Sequence, residues 1–206
     1  MRHLTLLCLL ALSAGRLAAQ ISDDGVLSVR KGGREVARET FGSTLRPDGG
    51  RSFSARQQGR AGGPDQVSVQ IDLTPAAELY AFDYKSAETR VLGAVSGPRL
   101  TLRSASRGRE TARELPAGPG LVVLDDRLVA PFAVVSELAT PEGRPLVGIF
   151  PATGRRVSFV ARAEQSDGRR VVTLTGDLAG TITAVSGRLT RVEIPALDLD
   201  AVRLIS

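Results

Sequence analysis

The side chains that most often carry chemistry are nearly missing from this sequence. Its only cysteine, Cys8, its only histidine, His3, and its only methionine all lie within the first eight residues. Those residues belong to a recognisable leader: Met1-Arg2-His3 is a cationic start, Leu4 to Gly15 is apolar, and Leu17-Ala18-Ala19 ends in small residues before Gln20. That layout predicts a secretory signal peptide over residues 1–19. Removing 19 of the 206 residues leaves 187, with no Cys, His, Met, Trp or Asn. A Ser-His-Asp triad, a cysteine nucleophile and a histidine-based metal site are thereby excluded from the mature chain. The expectation is a non-enzymatic, exported protein with no cofactor and no metal.

What remains is carboxylates, arginines and a few aromatics. Asp125-Asp126 could hold a cation or act as acid and base. Adjacent strand residues point to opposite faces, however, so the pair reads better as helix capping. Asp23-Asp24-Gly25 opens like a calcium loop but lacks the spaced ligands and closing Glu, and reads as a flexible N-terminal turn. Arg103, Arg107, Arg109 and Arg113 straddle an expected hairpin and could receive an anionic head group. Glu110 and Glu114 are interleaved with them, which favours a solvated strand pair. Tyr80, Phe82 and Tyr84, beside Val67, Val69, Ile71 and Leu73, could line an apolar ligand groove or simply fill a core.

These residues are carried by strands. From Gln66 to Thr74 the apolar positions alternate with Ser68, Gln70 and Asp72, placing one set on each face. Tyr80, Phe82 and Tyr84 alternate in the same way, as do Leu100 and Leu102, Val157 with Phe159 and Ala161, and Val192 with Ile194. Lys31-Gly32-Gly33 supplies the positive φ angles of a tight hairpin between 26–30 and 35–41. Similar turn signals recur at 47–50, 106–108, 152–154 and 166–168, which predicts an antiparallel meander. Gly59 to Asp65 reads as a longer loop. One stretch departs from the pattern: Leu128, Phe132, Val135 and Leu138 fall at helical spacing, and Pro131 suits a first turn, so a short helix is expected near 128–139. Val134-Val135 leaves a buried strand open there.

The composition is even from residue 25 onward, and residues 20–206 read as a single β-rich domain. The leader's apolar run is too short to cross a bilayer, and no later stretch approaches the roughly 20 residues required, so no transmembrane segment is expected in the mature chain. Cleavage would take Arg2 and Arg16 and lower the formal charge from +5 to +3. The basic residues alternate with acids, so no nucleic acid is expected as a partner.

The order of features resembles the bacterial periplasmic half-barrels typified by the lipoprotein carriers of the Lol system, together with related uncharacterised secreted families. The likeness rests on an opening hairpin (Gly25-Val26-Leu27 to Glu39-Thr40-Phe41), a run of antiparallel strands, an inserted helix, and the closing segment Gly187 to Pro195. It implies a curved sheet, half-barrel or barrel, that could wrap a lipid or other apolar ligand. The carriers have several lid helices where this chain shows one. Two readings follow. One is a periplasmic or secreted binder of a hydrophobic or amphipathic ligand. The other is an assembly module of the envelope that docks another protein through its sheet edges.

Overall fold

The computed structural model describes residues 23–59 and 67–204. The expected leader and cleavage point, and almost all of the expected 59–65 loop, lie outside them. Eight strands come first: β1 (Gly25–Lys31), β2 (Arg34–Leu45), β3 (Arg51–Gly59), β4 (Val67–Leu73), β5 (Leu79–Lys85), β6 (Thr89–Ser96), β7 (Arg99–Ser106) and β8 (Arg109–Pro116). A short strand β9 (Leu121–Val123) and a helix α1 (Phe132–Leu138) follow. The chain then adds β10 (Arg144–Phe150), β11 (Arg155–Ser166), β12 (Arg169–Gly176), β13 (Gly180–Val185), β14 (Arg188–Ile194) and β15 (Leu199–Arg203). The strands form one fifteen-stranded sheet, in the order β8 down to β1, then β15 down to β9. Two meanders are therefore joined at a β1–β15 seam. All neighbours run antiparallel except β9 and β10, which are parallel. The mainly β class, the meander and the single short helix agree with the sequence reading.

Chain geometry dictates that the sheet rolls. Residues 117–120 are all that separate β8 from β9, the two strands at opposite ends of the sheet order. That link reaches about 18 Å when extended. Fifteen strands laid flat at about 4.8 Å spacing would span roughly 67 Å. The sheet curls accordingly until β9 comes against β5. It does not close, because β8 pairs with β7 alone and β9 with β10 alone among the described residues.

The helix is shorter than its sequence signal. Residues 128–131 form tighter turns, with the Phe132, Ala133 and Val134 N–H groups each donating to the carbonyl three residues back. Pro131 precedes the first helical residue, and Ala139 is already extended ahead of Thr140-Pro141. The expected apolar stripe is only part of the story. Val129, Ala130, Ala133, Val134 and Ser136 are buried as well, so the segment is enclosed on nearly every side. A helix apolar all round belongs inside a protein, and this one lies inside the rolled sheet.

One glycine shows how closely the wall of the roll is packed. Gly93 on β6 pairs with Phe82 on β5, and a Cβ built at Gly93 would run into the Phe82 ring. The ring covers the space that glycine leaves. Gly93→Ala is expected to lower unfolding free energy by about 1–3 kcal/mol. Adding Phe82→Leu should return part of that loss, as measured by urea denaturation of the single and double variants.

Candidate functional site

The residues named for a ligand wall fall almost entirely in the core. Val67, Val69, Ile71, Leu73, Phe82 and Tyr84 are each 3 % exposed or less and belong to one continuous apolar cluster with the buried apolar residues of segment 121–139. Tyr80 is the correction: it is 51 % exposed and points away from the other two aromatics. The β4–β5 register slips here, with Asp72 opposite Ala81 but Leu73 opposite Leu79. Tyr80 is the extra residue of this bulge, which turns it outward and lets Leu79 take the inward place. The Arg46 guanidinium lies 5.3 Å from the Tyr80 ring centre on the outside.

A buried polar cluster organises the interior instead, and its centre is Glu39. On β2 the inward positions are Ala37, Glu39 and Phe41, so strand alternation places a carboxylate on an otherwise apolar face. Its partner across the ladder is Gln57 on β3. Glu39 is fully buried. Its carboxylate accepts from the Val129 N–H at 2.9 Å to each oxygen, from the Ala130 N–H at 2.8 Å, and from the Gln57 amide at 3.3 Å. The Gln57 amide also donates to the Arg127 carbonyl. Next to this, Arg127 donates to the Tyr84 hydroxyl at 2.8 Å, and the Asp125 carboxylate accepts from the Arg127 and Leu128 N–H groups at 2.7 and 3.2 Å.

The same segment is held from the other half of the sheet. Arg170 on β12 donates to the Ser136 and Ala139 carbonyls at 3.2 and 2.7 Å, satisfying groups left open at the end of α1. Arg51 on β3 pairs with Glu137, and the Leu124 N–H donates to the Ile149 carbonyl at 2.9 Å. Residues 121–139 thus form an internal strut tied to β2, β3 and β5 on one side and to β10 and β12 on the other.

Burial governs the titration of this cluster. It pushes the Glu39 carboxyl up from 4.5 to about 7, against the lowering effect of the three donors it accepts from, with nearby Asp125 adding a smaller upward push. Asp125 is likewise raised by burial. The Tyr84 hydroxyl is pushed up to about 12, again chiefly by burial, with Asp125 beside it and Arg127 partly opposing.

Two sequence expectations change. Asp125 caps the turn at 127–128 rather than α1, and Asp126 pairs outside with Arg155 at 2.7 Å. Asp23 is not part of a loose turn: its carboxylate bonds Arg203 at 2.8 Å and the Leu189 N–H at 2.7 Å. The sequence reading missed Glu39, Gln57 and Arg170. The available signal was a polar residue in phase with the apolar positions of its own strand. The partners lie 90 residues from Glu39 and 34 from Arg170, beyond any local pattern.

Most of the described grooves lie on the outer face, whereas one of about 530 Å³ opens on the inward side of β7 and β8 beside Ser104, Ser106, Arg107, Arg109 and Thr111. Of the outer ones, one of about 480 Å³ is lined by Thr40, Ser54, Arg56, Gln70, Asp83 and Lys85, and another of about 480 Å³ by Arg90, Leu92, Arg103 and Glu110 among others. The expected arginine hairpin exists as β7–β8, and every residue from Arg109 to Glu114 is exposed. No group of acids, histidines or cysteines suited to a metal occurs among the described residues. No helix there is long and apolar enough to cross a membrane.

Folded Glu39 keeps its proton to higher pH than the unfolded chain does. Its contribution to stability is therefore fully present below pH 4.5 and is lost as pH rises toward about 7. The change is about 3 kcal/mol over that window. Denaturation measured from pH 4.5 to 8 should show this decline, and Glu39→Gln should remove most of it.

No family model and no curated protein matches the chain. Among solved structures, the chain is similar to a beta-barrel-like protein of the domain of unknown function DUF1849 from Brucella abortus. The TM-score is 0.54 at 7 % identity, covering 90 % of this chain and 97 % of that one. The likeness is one of fold: a bacterial beta-barrel-like architecture.

Proposed function

We propose that the protein is an exported, non-enzymatic module of the bacterial envelope that docks another protein through the free edge of β8. One contrast carries this reading. The inside of the roll along β2 to β5 is occupied by the chain's own strut, while the outer edge of β8 has no partner strand among the described residues and is exposed from Arg109 to Glu114. An unpaired strand edge presents a row of N–H and C=O groups ready to bind another chain.

Holding a lipid or other apolar ligand against Val67, Val69, Ile71, Leu73, Phe82 and Tyr84, as the resemblance to lipoprotein carriers implies, would require the strut to withdraw. That withdrawal would strand the Glu39 carboxylate and the Val129 and Ala130 N–H groups at once, each at about 1–3 kcal/mol if left buried without partners. The docking reading needs no such change.

Two measurements separate the readings. A photo-crosslinking residue at Thr111 on β8, in cells, is expected to give one defined protein adduct, and the same residue at exposed Thr173 on β12 none. An apolar fluorophore added to the purified protein is expected to stay in water. Fluorophore uptake displaced by fatty acids, with no adduct at Thr111, would overturn the proposal in favour of the ligand binder.

A further inference from the structure

The charge layout of β8 says what kind of strand fits it. In the β7–β8 ladder Leu102 lies opposite Arg113, Ser104 opposite Thr111 and Ser106 opposite Arg109, so these three β8 residues share the inward face. Thr101, Arg103 and Ala105 lie opposite Glu114, Ala112 and Glu110, which share the outward face. One face of the edge therefore carries Arg109 and Arg113, the other Glu110 and Glu114. Glu114 is already paired across the ladder with Arg99 at 2.9 Å. Arg109 and Glu110 have no ion pair with another described residue, and neither does Arg113, whose guanidinium rests against Gly154 in the turn between β10 and β11.

That division opposes pairing with a second copy. Two identical edges can join antiparallel only about a two-fold axis perpendicular to the sheet, which keeps each face on its own side. Centring the axis on Thr111 sets Arg109 opposite Arg113 twice; centring it on Ala112 sets Glu110 opposite Glu114 twice. Centring it on Glu110 or Arg113 sets that residue against itself. Like charges directly opposite destabilise a strand pair in every one of these registers.

We propose that the occupant of the β8 edge is an extended segment of a different protein whose charges alternate in the opposite sense. Antiparallel to β8, it carries acids opposite Arg109 and Arg113 and basic residues opposite Glu110 and Glu114. Read from its own N-terminus the segment is basic, acidic, two uncharged residues, basic, acidic. This inference rests on the docking reading and specifies its partner. Backbone bonds supply the attachment, and the alternating charges select register and direction.

The test uses two short fluorescein-labelled peptides, one containing Lys-Glu-Thr-Val-Lys-Glu and the other Glu-Lys-Thr-Val-Glu-Lys. Titration of the purified chain, read by anisotropy, should show the first bound about tenfold more tightly, with a preference that weakens as salt rises. The variant Arg109→Glu/Glu110→Lys/Arg113→Glu/Glu114→Lys should reverse the preference. Its circular dichroism should match the parent, since all four side chains are exposed. Equal binding of the peptides, or binding of neither, overturns the charge rule; the docking reading then stands or falls separately on the Thr111 adduct. A dimer at micromolar concentration that the charge variant abolishes would overturn the proposal in favour of a second copy.

Discussion

A single buried carboxylate joins the two parts of this molecule that chain connectivity keeps apart. Glu39 belongs to the sheet, and the Val129 and Ala130 N–H groups belong to the segment that fills it. Without that bond set the sheet would still be obliged to roll, because 117–120 is too short for anything else, but it would roll around a segment with no fixed register. Apolar packing has little directionality. The hydrogen bonds that Glu39 accepts and that Gln57 and Arg170 donate supply it, fixing the placement of the segment that carries the short helix. Arg170 at the last carbonyls of α1 also matches the partial negative charge of a helix C-terminus.

The same carboxylate explains why the interior reads as a core. The residues of β4 and β5 that could have walled a cavity instead meet the chain's own strut. The surface left for recognition is the outside of the roll, the open inward side of β7 and β8, and the two edge strands, and those edges differ. β9 is three residues long and fully buried, whereas β8 runs for eight residues and is exposed along most of them. Docking through β8 is a proposal that follows from this asymmetry, and the division of Arg and Glu between its faces gives that proposal its chemical content.

Much of the wall was legible in the sequence because period-two patterning is local. Gln66 to Thr74 and the Gly32-Gly33 turn needed no tertiary information, and β4 and the β1–β2 hairpin stand where the pattern puts them. Tyr80 was misplaced because a one-residue bulge resets the phase, and nothing in the Leu79–Lys85 string marks it. The strut was legible as apolar but not as interior, since a stripe and a fully enclosed helix look alike over seven residues. Glu39 was visible only as an acid in phase with Ala37 and Phe41. Its meaning depends on partners 90 residues away.

The seam between the two meanders has a consequence for how the chain assembles. β1 gains its second neighbour only from β15, and Asp23 bonds Arg203 across 180 positions, so the middle of the finished sheet is the part made from the most distant residues. Apart from the parallel β9–β10 pair, whose connection runs through α1, each meander can form largely from local hairpins, whereas the seam carries the greatest loop-closure entropy. A chain emerging from its N-terminus would hold β1 as a temporary edge until the last strand arrives. The same adjacency brings the start of β1 beside the end of β15. A short linker could therefore join the two ends, and new termini could be opened at an exposed turn such as that at Arg107-Gly108, leaving every strand pairing unchanged.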